Sequence, residues 1–109
     1  MELLNIGHEY YEPSKIIEIQ AQHDKGLVFA DSYRLVITYY HPHIENALKT
    51  NTTTMRFTHR YDDIKVLAKQ VNKIISVTKK CTVYVSPPEF KNEFDKQLKS
   101  INSSTKNEI

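Results

Sequence analysis

The chain has 109 residues, 39% hydrophobic and 26% charged, the proportions of one folded domain rather than of a disordered chain. Its single cysteine, Cys81, excludes an internal disulfide, and no apolar run approaches the length of a membrane span. The net charge is only +2, and no basic segment followed by an apolar one opens the chain, so a soluble cytoplasmic protein with no membrane partner is expected.

"LLNI" at residues 3–6 predicts a short strand ended by Gly7, and Pro13 separates it from the next strand. Residues 15–40 read as β structure: "KIIEIQAQ", a turn at "HDKG", a restart at "LVFAD", then "YRLVITYY". In the last run Tyr33, Leu35, Ile37 and Tyr39 share one face, and Arg34, Val36, Thr38 and Tyr40 the other. "HPHIENALK" predicts a short helix near 42–49, with Pro42 in its first turn and Ile44, Ala47 and Leu48 on one stripe. "TTTMRFTHR" returns to alternation, setting Met55, Phe57 and His59 against Arg56, Thr58 and Arg60.

A helix is predicted over 62–76, with Asp62 or Asp63 as its cap and Ile64, Leu67, Val71 and Ile74 on its core side. Lys65, Lys69 and Lys73 recur every four residues along its exposed side. "CTVYVS" predicts a strand. Ser86 and Glu89 have the spacing of a capping box for a helix over 87–100 lined by Phe90, Phe94, Leu98 and Ile101. The expected fold is therefore α+β: a single small domain over residues 1–101, mainly antiparallel sheet with two or three helices. Residues 102–109 are expected to be a disordered polar tail.

Charge is segregated along the chain. Residues 1–50 carry net −3, residues 51–81 carry seven basic groups against two acidic for net +5, and the remainder balances. A basic excess of this kind suits a polyanion partner, although acidic and basic segments also pair on folded surfaces. Twelve lysines against three arginines fit an AT-rich source such as a low-GC bacterium or its phage.

Catalytic and metal chemistry find little support. His41 and His43 flank Pro42 without zinc-type spacing, and Asp62 and Asp63 are accounted for as helix caps beside His59. Two glycines, Gly7 and Gly26, cannot build a phosphate-cradling loop. The expectation is a non-enzymatic binding protein with no cofactor and no metal.

The order of pieces resembles the LytTR DNA-binding domain of bacterial response regulators. Phe57, His59 and Arg60 match its aromatic and His-Arg positions, Val71 and Asn72 its Val-Asn, and Val85 and Ser86 its closing V-S. Tyr61 stands where that pattern has Ser, and Val71-Asn72 comes one helix later. A fainter likeness to the ComK competence factor family runs through Arg56-Phe57, Val71 with Lys73-Ile74, and Val85 with Pro87. Both resemblances imply a DNA-binding transcription regulator.

These patterns support two functional expectations. In the first, Arg56, Thr58, His59 and Arg60 join Lys65, Lys69 and Lys73 in one basic strand–helix patch that binds DNA. In the second, the chain is a phage- or mobile-element-type inhibitor or adaptor that binds a host protein through Tyr10, Tyr11, Tyr33, Tyr39 and Tyr40.

Overall fold

The structure, a computed structural model, describes residues 3–26, 31–40, 54–78 and 81–107, with side chains through residue 101. The helix expected near 42–49, the restart at 27–30, and Lys79 and Lys80 lie outside the described residues.

Leu4–Ile6 (β1) and Glu9–Tyr11 (β2) pair antiparallel around the two-residue turn Gly7-His8, with Leu4 opposite Tyr11 and Ile6 opposite Glu9. Gly7 has φ 63°, a left-handed conformation that a side chain resists and so tight a reversal exploits. Only β1 is expected from the sequence, because "EYY" is too short and too polar to declare itself by alternation.

One 3₁₀ turn, Pro13–Lys15, leads into the main sheet. Its strands are Ile16–Asp24 (β3), Ser32–Tyr40 (β4), Thr54–Tyr61 (β5) and Thr82–Ser86 (β6), in the order β5-β4-β3-β6. β3, β4 and β5 form an antiparallel meander, and β6 joins β3 in parallel. β5 and β6 thus point the same way from opposite edges, so the chain must travel back along the sheet between them. Ile64–Val77 (α1) makes that return with 14 residues, a length of about 21 Å.

Local chemistry fixes the ends of α1. The Lys65 N–H donates to Asp63 Oδ1 at 2.9 Å, the N-cap expected from the sequence, and the Thr78 hydroxyl donates to the Ile74 carbonyl at 2.7 Å. The last helix, Phe90–Asn107 (α2), packs beside α1 and against β6. It departs from expectation at both ends. Ser86 is the last residue of β6, paired with Gln22, and the helix begins four residues later at Phe90, beyond the two prolines. At its other end the helix runs through Asn107, so residue 101 is not the close of an element.

The described residues thus form an α+β globule of two helices, a mixed four-stranded sheet and a two-stranded antiparallel sheet. The core lies on one face of the four-stranded sheet. There the register sets Ile19 opposite Ile37, Ala21 opposite Leu35, and Ile37 opposite Phe57, with Val83 beside Ile19. Onto this face α1 lays Leu67, Ala68, Val71 and Ile74, α2 lays Phe90 and Phe94, and the hairpin adds Leu4, Ile6 and Tyr11. Each large apolar side chain so covered contributes about 1.5–3 kcal/mol.

Candidate nucleic-acid interface

Alternation sends every second residue of the sheet to the opposite face, which no described helix or hairpin covers. Its cross-strand rows are set by the register. One row reads Arg56, Thr38, Glu18, Thr82; the next Thr58, Val36, Gln20, Tyr84; the third Arg60, Arg34, Gln22, Ser86. These rows are polar apart from Val36 and the Tyr84 ring, and within them Thr38 is buried.

The charges on it are unequal in freedom. Arg34 is tied to Asp24: Nη2 donates to Oδ1 at 3.0 Å, and Nε lies 2.7 Å from Oδ2. Glu18 Oε1 accepts from the Thr38 hydroxyl at 3.4 Å. Arg56 and Arg60 are exposed at the β5 edge, and neither forms an ion pair among the described residues. They stand four residues apart on one strand, about 13 Å, with exposed Thr58 between them.

The other sequence-predicted residues do not join them. Lys65, Lys69 and Lys73 are exposed on α1, which packs on the core face, so the sheet stands between the lysines and the arginines. The reason is simple. α1 must bury its apolar stripe against the apolar side of the strands, so its own polar side points away from theirs. Lys73 is moreover engaged, its Nζ donating to the Asn5 carbonyl at 2.9 Å and tying the hairpin to α1.

His59 also faces the core side rather than the arginine row. Its Nε2 lies 2.7 Å from the Tyr11 hydroxyl, and its ring packs edge-on to the Tyr11 ring. Burial pushes the imidazole below its ordinary range, against a weaker upward pull from the Glu9 carboxylate. A neutral His59, hydrogen-bonded to the Tyr11 hydroxyl, adds no positive charge to the arginine row.

The five tyrosines do not assemble a single surface either. Tyr11 and Tyr39 belong to the core, and Tyr33 stacks on His23 at 4.8 Å and leans on Phe90. Tyr40 is half-buried on the open face, and Tyr10 is exposed on the outer side of β2. An exposed aromatic with no part in either sequence-based expectation is Tyr84, half-exposed on the open face. Alternation in "TVYVS" already separates Tyr84 from Val83 and Val85. Its neighbours Gln20 and Thr58 emerge only from strand order.

Among the described residues, no group of three His, Cys, Asp or Glu side chains is placed to hold a metal ion. None of their helices is long and apolar enough to cross a membrane. Burial raises the Cys81 thiol above its usual range, which opposes the thiolate that nucleophilic chemistry requires. No family model, curated protein or solved structure matches the chain.

Proposed function

We propose that this is a non-enzymatic DNA-binding protein that takes phosphates on the β5 side of its open sheet face, through Arg56 and Arg60 with Thr58 between them. One observation carries the reading: two exposed arginines, unpaired among the described residues, share one side of an edge strand of the described sheet, on a mostly polar face that no described helix or hairpin covers. Guanidinium groups so placed suit phosphate oxygens, and a hydroxyl between them adds a neutral hydrogen-bonding group. This replaces the strand–helix patch expected from the sequence. The lysines of α1 contribute at most to the long-range field that draws a polyanion in.

The test is a salt series with labelled DNA, offered both as a duplex and as one of its separated strands. At least one form binds, and its affinity falls steeply between about 50 and about 200 mM salt. The double variant Arg56→Ala/Arg60→Ala weakens that binding about tenfold at low salt and lowers the salt slope by about 1.4 units on a single strand. Lys65→Ala/Lys69→Ala changes it much less. Absence of binding to either form, or equal losses from the two double variants, sinks the reading.

A further inference from the structure

Building on that reading, we infer that the open face is a platform for single-stranded nucleic acid, whose phosphates follow β5 while its bases lie inward across the sheet toward Tyr84. Thr58, Val36, Gln20 and Tyr84 form one continuous cross-strand row, leading from between the two arginines to the far edge. The row changes character along its length. It starts at the cations, passes an apolar side chain and an amide, and ends at an aromatic ring that is 50% exposed. Phosphate, sugar and base follow the same order of chemistry when a nucleotide lies across the strands.

Two details favour this orientation. The Glu18 carboxylate sits on β3, so a backbone laid along β5 keeps its phosphates two strands away from it. Gln22 Nε2 donates to Gln20 Oε1 at 2.8 Å, which leaves the Gln20 amide hydrogens and the Gln22 carbonyl oxygen for the edge of a base.

Shape argues against a duplex. Three interstrand spacings put the outer strands of the sheet about 14 Å apart before side chains are counted, and a major groove is only about 12 Å wide. The sheet therefore cannot enter a groove face-on. A paired and stacked base cannot reach Tyr84 at all, whereas an unpaired base presents a π-face to its ring.

Fluorescence polarisation with an oligothymidine of roughly 12 nucleotides, an oligouridine of the same length and a matched duplex tests the inference. The expected result is tighter binding to the oligothymidine, the oligouridine or both than to the duplex. Tyr84→Ala then weakens single-strand binding about tenfold, leaves the salt slope unchanged, and is rescued by Tyr84→Trp. The thymidine and uridine arms show which sugar the platform accepts. Duplex binding as tight as single-strand binding overturns the inference, as does a Tyr84→Ala variant that binds like wild type. If Arg56→Ala/Arg60→Ala still weakens DNA binding in that case, the DNA-binding reading survives its loss. Binding to no oligonucleotide removes both.

Discussion

On β4, Leu35 and Ile37 are fully buried, while Arg34 and Val36, one residue away in each case, are only half-covered. Across the sheet one face is a packed core under two helices and a hairpin, and the other carries mostly Arg, Thr, Gln, Glu and Tyr, with Thr38 buried among them. The composition of the second face is informative. A sheet face awaiting a covering helix would be apolar, like the face that α1 does cover. This one is mostly polar instead.

The sharpest way to test that division is to cut into each side at neighbouring positions. Leu35→Ala removes a fully buried side chain between β3 and β5 and is expected to lower the unfolding free energy by about 2–5 kcal/mol. Val36→Ala, on the open side, is expected to cost about 1 kcal/mol or less. Urea titration of both variants checks the contrast, and equal losses would mean that the second face is packed too.

Gly7→Ala probes the hairpin that caps the covered face at β5. A methyl group there would lie 2.8 Å from His59 Nδ1, at a φ of 63° that alanine resists. The ring cannot swing aside without giving up its contact with the Tyr11 hydroxyl. A loss of about 1–3 kcal/mol is expected, measured as a fall in the urea midpoint. A neutral outcome would mean that the hairpin rests only loosely on β5.

What the sequence announced and what it concealed divide along similar lines. β4, β5 and α1 were legible because each has a sustained period and α1 has Asp63 before it to cap its backbone. β2 was not, since its three residues hold only one buried side chain. The start of α2 misled because β6 runs on to Ser86 and the helix begins only at Phe90, beyond both prolines, so Ser86 lies too early to be its cap. The separation of the lysines from the arginines was in principle readable. Where a helix covers the apolar side of a strand, the two polar sides must point in opposite directions. The row from Thr58 to Tyr84 was not readable, because it needs the parallel placement of β6 beside β3.

A smaller effect is expected from His59 on the covered face. Its folded pKa is depressed by burial, so below about pH 6.5 the unfolded chain takes up a proton that the folded one resists. Stability is therefore expected to fall as pH drops through that region and to level off once the folded imidazole also protonates. Comparing unfolding free energies at about pH 7.5 and about pH 5.5 in wild type and His59→Gln isolates this contribution. If both chains lose the same amount, His59 does not carry it.

The smallest expected effect lies on the open face, where Arg60 stands directly across from Arg34. Like charges directly opposite on neighbouring strands repel, yet Arg34 is held by Asp24 through two close contacts. That ion pair is partly exposed, and pairs of this kind are worth about 0–1 kcal/mol. With Arg34 so neutralised, Arg60→Ala is expected to change stability by no more than about 0.5 kcal/mol. Asp24→Asn restores the full charge of Arg34. In that background Arg60→Ala should become stabilising, by a few tenths of a kcal/mol at low salt, and the gain should vanish as salt screens the pair. Thermal melts of the four chains at low and high salt complete the cycle. A large loss from Arg60→Ala in either background would mean that this arginine holds the sheet together. It would then not be free to hold a ligand, and the open face would have to be read as a second structural layer.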